Sequence, residues 1–258
     1  MDKLMNEIHE SVVTWMKQIE LDFRNGKYST FNVDTKVDYK DLVTDSDKKI
    51  EHYFSTSILE KFPNSVILGE ETYSPNKDYS KSDLLWVIDP IDGTRNFVKQ
   101  AKDFAVMVSV FYKNEPTHAY IYDLAADVLY YAVEGKGFFV NSTQIDTVED
   151  KPLQDSFVSI DYPSLQISQG IRDFVSEAFD MRYIGSAGLD GARVAAGDFG
   201  AYVCKTLQPW DFAPFFLISK LLGLHMSNFD GAPLTLTKPD SFILCTEAIY
   251  GSWKKYYV

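Results

Sequence analysis

Residues 84–94 read Leu-Leu-Trp-Val-Ile-Asp-Pro-Ile-Asp-Gly-Thr. A run of five apolar residues has strand length, and it is stopped by an acid, a proline, a second acid and a glycine. Pro90 fixes one φ angle and Gly93 permits φ > 0, so the spacing predicts a sharp turn here. Such a turn can bring the carboxylates of Asp89 and Asp92 and an intervening backbone carbonyl onto one side. Hard cations such as Mg²⁺ take that kind of oxygen set. Gly93 and Thr94 would then offer backbone N–H groups to an anion. A plain strand followed by an Asp-rich turn, with Asp92 as a helix cap, explains the same residues. On this segment alone the two readings stand level.

The rest of the 258-residue chain supplies a setting for that turn. Hydrophobic residues make up 45% and aromatics 15%, which excludes ordinary disorder. Apolar residues at helical spacing predict helices over 2–24 and 44–62. Strand-like runs follow at 66–68, 84–88, 104–112, 118–122, 128–133 and 137–140, with turn residues between them. This stretch reads as antiparallel sheet. Beyond about residue 146 strands (157–160, 182–184, 202–203, 234–236, 242–245) alternate with helices (167–179, 187–196, 212–222). That pattern predicts α/β architecture. The division expected is therefore 1–145, an α+β part with most of the acids, and 146–258, an α/β part that includes Asp211.

Charge narrows the partners. The 37 acids against 25 Lys and Arg leave −12, which speaks against nucleic acid, where clustered bases are needed, and against an anionic membrane surface. The N-terminal residues lack an apolar signal core, and no run approaches the ~18 apolar residues of a membrane helix. Cys204 and Cys245 lie among apolar neighbours and read as buried free thiols. A soluble cytoplasmic protein is the expectation.

Three further acids stand in comparable settings. Glu70 and Glu71 follow a strand-like run and Gly69, and read equally as solvated loop acids. Asp47 has capping-box spacing to Thr44, so a plain helix start accounts for it. Asp211 opens an apolar helix and alone reads as a cap. The four histidines have no metal spacing, Glu134–Gly137 is at most a weak phosphate loop, and no serine or cysteine nucleophile motif is visible.

Together, Leu42–Asp47, Gly69-Glu70-Glu71, Asp89-Pro90-Ile91-Asp92-Gly93-Thr94 and Trp210-Asp211, in this order and spacing, resemble the inositol monophosphatase family. The resemblance runs from the first helix nearly to the C-terminus. It implies a five-layered α-β-α-β-α sandwich of the inositol monophosphatase/fructose-1,6-bisphosphatase type, usually a homodimer. It implies Mg²⁺-dependent hydrolysis of small phosphate monoesters, with two to three ions per site. Carried over, Glu70, Asp89 and the Ile91 carbonyl would bind a first metal, and Asp89, Asp92 and Asp211 a second. Glu70 would help hold a third through water. Thr94, polarised by Asp47, would position and deprotonate the attacking water. Acids so crowded raise each other's pKa values when uncompensated, and bound cations reverse the sign of the site for an anionic substrate.

The substrate end departs from the pattern. Gly185-Ser186-Ala187 matches the segment that meets substrate hydroxyls, beside Gly93, Thr94 and Asp211. Lys36 matches a mobile segment that closes over the site. Members that favour inositol phosphate carry a Glu six residues before the Trp-Asp pair, where this chain has Cys204, a weak hydrogen-bonding group. Pro214 and Leu222-Gly223-Leu224-His225 also differ from the usual residues. The expectation is a broad or shifted substrate range, with inositol phosphate nearly level with the 2′-phosphate of NADP(H) or fructose 1,6-bisphosphate. Two rivals are weighed. Haloacid-dehalogenase phosphatases use Asp-x-Asp, whereas Asp89 and Asp92 are three apart, and pass through an aspartyl-phosphate. A metal-binding regulatory protein without turnover would not require the intact ligands plus Thr94.

Overall fold

The computed structural model describes residues 2–28, 32–35, 42–75, 77–79 and 81–257. In chain order its elements are α1 (Asp2–Arg24), β1 (Val33–Thr35), β2 (Leu42–Thr44), α2 (Asp45–Lys61), β3 (Val66–Gly69), β4 (Leu84–Asp92), α3 (Thr94–Gln100), β5 (Ala105–Tyr112), β6 (Glu115–Asp123), β7 (Val128–Val133), β8 (Gly137–Val140) and β9 (Thr143–Ile145). Then follow β10 (Phe157–Ile160), α4 (Tyr162–Leu165), α5 (Gln169–Glu177), β11 (Asp180–Arg182), α6 (Ala187–Ala195), β12 (Ala201–Leu207), α7 (Pro209–Leu222), β13 (His225–Ser227), β14 (Asp240–Cys245) and α8 (Glu247–Tyr257).

Strands β3 to β9 form one sheet in sequence order, with β3 parallel to β4 and the other neighbours antiparallel. The second sheet has the order β11-β10-β12-β14-β13, parallel across its first three strands and antiparallel beyond. The period-2 alternation of side chains divides their contacts. On β5, Val106, Val108 and Val110 meet Ile8, Val12, Ile50 and Phe54 of α1 and α2. The intervening Ala105 and Met107 join a core with Leu189 and Ala192 of α6 and Phe212 and Phe215 of α7.

That same core takes Tyr202 and Phe242 of the second sheet, whose alternate residues Val203 and Ile243 pack on Ile171 and Phe174 of α5 and Trp253 of α8. Five layers result, helices α1/α2, the first sheet, α6/α7, the second sheet, and α5/α8, as expected. Cys204 joins the α6/α7 core and Cys245 the outer one, and both are free thiols.

Several expectations need correction. Residues 234–236 are not a strand; Leu234 is buried in irregular chain, and β13 takes the sheet edge instead. The strand expected at 182–184 lies at Asp180–Arg182. Helices α3, α4 and α8 escaped the sequence reading. In α8 the helical spacing of Ile249 and Trp253, each at most 1% exposed, outweighs the strand propensity of its aromatics.

The expected turn at Pro90 is instead a bulge within a strand that runs on to Asp92. Asp89 pairs with Met107 and Asp92 with Ala105, so three steps on β4 match two on β5. One extra residue is accommodated, at the position where proline has no N–H to give the ladder. The turn comes at Gly93, whose φ is +86°.

Candidate active site

The bulge sets up the site. In a regular strand residues three apart face opposite sides of the sheet. With one residue bulged out, Asp89 and Asp92 face the same side, the one occupied by α6 and α7. Asp211, in the first turn of α7, completes a cluster in which one carboxylate oxygen from each residue lies within 4.8 Å of the other two. Glu70 stands just beyond β3, its N–H donating to the Ile88 carbonyl at 3.1 Å, and extends the pairing with β4. Its charge reaches both Asp89 and Asp211.

Burial, Glu70, Asp92 and Asp211 together hold the Asp89 carboxyl well above the usual carboxylate range. Burial and the charges of Asp92 and Glu70 do the same to Asp211, against the opposing bond from Gln208 N–H. Asp211 accepts that N–H at 2.8 Å within a capping box. Asp92 accepts the Ser186 hydroxyl and the N–H groups of Ala187 (2.9 Å) and Gly188 (2.8 Å). Burial still pushes its carboxyl up to about 6. Asp89 differs from both, because its Oδ1 is buried with no hydrogen-bond partner. Buried unpartnered polar atoms are rare and call for explanation. A carboxylate oxygen without a donor, inside a cluster of hard oxygens, suits a divalent cation.

Beside this cluster, Thr94 Oγ lies 3.0 Å from the Ile91 carbonyl and 3.4 Å from Asp47 Oδ1. Asp47 also serves the capping box of α2, accepting Thr44 N–H at 2.8 Å and Thr44 Oγ–H at 2.5 Å. Burial raises its carboxyl to about 6. The helix-start readings of Asp47 and Asp211 are thus borne out, while Asp47 also lies 3.4 Å from Thr94 and Asp211 in the acid cluster.

Glu70, Asp92, Gly93, Thr94, Gly185, Ala187 and Asp211 line one cavity of about 390 Å³. Ser186 lies beneath it, 1% exposed, with its hydroxyl on Asp92. Cys204 lines the far wall, its thiol pushed up to about 12 by burial. Lys36 lies outside the described residues.

Two supporting acids escaped the sequence reading. Asp190, fully buried in α6, accepts the Ser159 hydroxyl at 2.5 Å and the N–H groups of Ile184 and Gly185 at 3.0 Å. It anchors the strap whose next residues hold Asp92. Glu51 of α2 accepts Glu71 N–H at 2.7 Å, and a Cβ on Gly69 would stand 2.4 Å from its carboxyl carbon. The legible signal for each is an acid on an otherwise buried helical stripe.

Five alternating layers enclose a carboxylate cluster at the end of a sheet strand, an oxygen set that suits a divalent cation. A family model described as the inositol monophosphatase family matches residues 5–255, and the chain belongs to that family. It is 32% identical over 249 residues to the inositol-1-monophosphatase of Bacillus subtilis strain 168, covering 95% of this chain and 94% of that one. It is 31% identical over 200 residues to the fructose-1,6-bisphosphatase/inositol-1-monophosphatase of Thermotoga maritima, covering 78% and 76%. A crystal structure of an IMPase/NADP phosphatase with Mg²⁺ and phosphate superposes with a TM-score of 0.91 at 32% identity, covering 98% of this chain and 95% of that one. The protein is accordingly a phosphoric monoester hydrolase. Among the described residues no helix is long and apolar enough to cross a membrane.

Proposed function

We propose that this chain hydrolyses small phosphorylated metabolites such as inositol monophosphate with Mg²⁺, and that Glu70, Asp89, the Ile91 carbonyl, Asp92 and Asp211 are the metal ligands. The observation that carries the assignment is the bulge that gathers Asp89, Asp92 and Asp211, leaving Asp89 Oδ1 buried and unpartnered. Two to three bound ions would neutralise the acids and the ester and acidify the attacking water. Thr94, held by Asp47, orients that water and passes on its proton, with Glu70 assisting. Gly93 and Thr94 offer N–H groups to the phosphate, while Gly185, Ser186, Ala187 and Asp211 border the alcohol. In this reading the part before residue 146 brings most of the acids and the part after it brings Asp211 and the alcohol wall. A cytoplasmic homodimer completes the proposal, and sedimentation velocity tests the dimer.

A second reading of the substrate rests on Cys204. A buried neutral thiol whose contact is the Thr206 carbonyl at 3.6 Å makes a poor anchor for ring hydroxyls, and loss of a polar anchor weakens discrimination. NADP(H) 2′-phosphate and fructose 1,6-bisphosphate therefore stand beside inositol phosphate. A phosphate-release panel with and without Mg²⁺ tests both readings. Asp89→Asn and Asp211→Asn should each lose at least three powers of ten in Mg²⁺-dependent turnover while staying folded. Near-normal turnover in either purified variant refutes the ligand assignment.

A further inference from the structure

The cavity lined by these acids also carries a cationic side chain. Arg95 lines it together with Glu70 and Asp211, yet the guanidinium is exposed and engaged in no ion pair among the described residues. Its place in the first turn of α3 is one where a helix favours acids over bases. Neither the helix nor a partner among the described residues therefore accounts for an arginine here. Tyr183 lines the same cavity, 48% exposed and within electrostatic reach of Arg95. The lining also includes Tyr202, Cys204 and Thr206, none with a carboxylate. Asp161, another acid of the lining, is already engaged, accepting the N–H and hydroxyl of Ser164 and, at 3.4 Å, Lys205 N–H.

The geometry points to Arg95 as a subsite for a second phosphoryl group of the substrate, in the same cavity as the acid cluster that takes the scissile one. The inference rests on the phosphatase reading of that cluster. A planar guanidinium binds phosphate oxygens bidentately. One that lines an acidic cavity with no ion pair among the described residues offers its donors to an entering anion. Two sources carry this chemistry, a sugar bisphosphate and the pyrophosphate of a phosphorylated dinucleotide. Tyr183 separates them, since its exposed ring offers a stacking face to a base and nothing comparable to a sugar.

The test compares matched pairs, fructose 1,6-bisphosphate against fructose 1-phosphate and NADP⁺ against 2′-AMP, in wild type, Arg95→Gln and Arg95→Lys. The ratio of kcat/KM within at least one pair should fall about 10- to 100-fold in Arg95→Gln, the loss expected for a charged hydrogen bond. Arg95→Lys should restore part of it. Tyr183→Ala should lower kcat/KM for NADP⁺ and spare that for fructose 1,6-bisphosphate if the dinucleotide is the source; if the sugar bisphosphate is the source, Tyr183→Ala leaves both unmoved. Ratios unchanged in Arg95→Gln, or both members of each pair falling equally, overturn the subsite. Calorimetric titration with NADP⁺ and 2′-AMP in Ca²⁺ reads the same contrast without turnover. A wild type that releases no phosphate from any ester would thus refute the phosphatase reading while the subsite is still judged by binding.

Discussion

Replacing Asp89 by Asn should stabilise the metal-free protein and abolish its response to Mg²⁺. Two unit charges 4.8 Å apart, the span of the cluster, repel by about 3.5 kcal/mol at an effective dielectric of 20 and by about 0.9 kcal/mol in bulk water. Asp89 faces Asp92, Asp211 and Glu70 at once, and burial adds to the penalty. Burial and these neighbours push its carboxyl well above its ordinary 3.8, so a charge held there at neutral pH works against the metal-free fold. Because an amide at this position would lose some native contacts, a net gain of about 1–3 kcal/mol is expected. That corresponds to about 3–10 °C in Tm for a chain of this size. Mg²⁺ at 100 times its Kd should raise the wild type by about 2.7 kcal/mol and leave the variant nearly still. Thermal unfolding in EDTA and in rising Mg²⁺ reads both effects. A variant that melts below wild type in EDTA, or that gains as much from Mg²⁺, refutes the claim that Asp89 is strained for the sake of a cation.

Other perturbations follow from the same structure. His118 is 1% exposed, its Nε2–H donating to the Met5 carbonyl and its Nδ1 lying 3.0 Å from Thr117 Oγ, and burial lowers its pKa from 6.5 to about 4. The unfolded chain binds the proton first, so stability present above pH 6.5 should fall by about 3 kcal/mol as pH drops to 4; His118→Gln should flatten that slope in urea titrations at a series of pH values, and an unchanged slope would refute the assignment. Asp190→Asn, which turns an amide donor toward N–H groups already pointing at it, should lower stability by about 1–3 kcal/mol. Through the strap that holds Asp92, it should also raise the Mg²⁺ concentration for half-maximal activity several-fold, and an unmoved Mg²⁺ curve would make its role structural only.

The sequence made the layers legible and the bulge illegible. Strand-length runs from 66 to 140 and helical stripes over 2–24 and 44–62 follow from local periodicity, which survives in the structure because each face meets a separate core. The pairing of Asp89 with Met107 and Asp92 with Ala105 depends on a register between distant segments, which no local pattern encodes. Spacing alone therefore suggested a turn at Pro90. Resemblance, not periodicity, united Asp47, Glu70 and Asp211 with the pair on β4. The order β11-β10-β12-β14-β13 was out of reach for the same reason, and Leu234 and Leu236 read as strand because a buried irregular segment and an edge strand share apolar composition.

Helix geometry explains why the acids differ among themselves. Asp47 sits at the third position of α2 and Asp211 at the third position of α7, each bonded to a backbone N–H, and Asp92 lies against the first N–H groups of α6. The N-termini of α6 and α7 thus reach the cavity and that of α2 stands behind Thr94, and each carries partial positive charge that favours an anion. These termini compensate three of the carboxylates within the fold itself. Asp89 comes from the interior of a sheet, where the ladder leaves no N–H to spare, and its Oδ1 is left unpartnered. The uncompensated charge of the site is concentrated on the acid at its centre. The termini of α6 and α7, which steady its neighbours, would also favour an incoming phosphate, so the fold supplies attraction for the anion at the cavity wall and leaves the demand for a cation at Asp89.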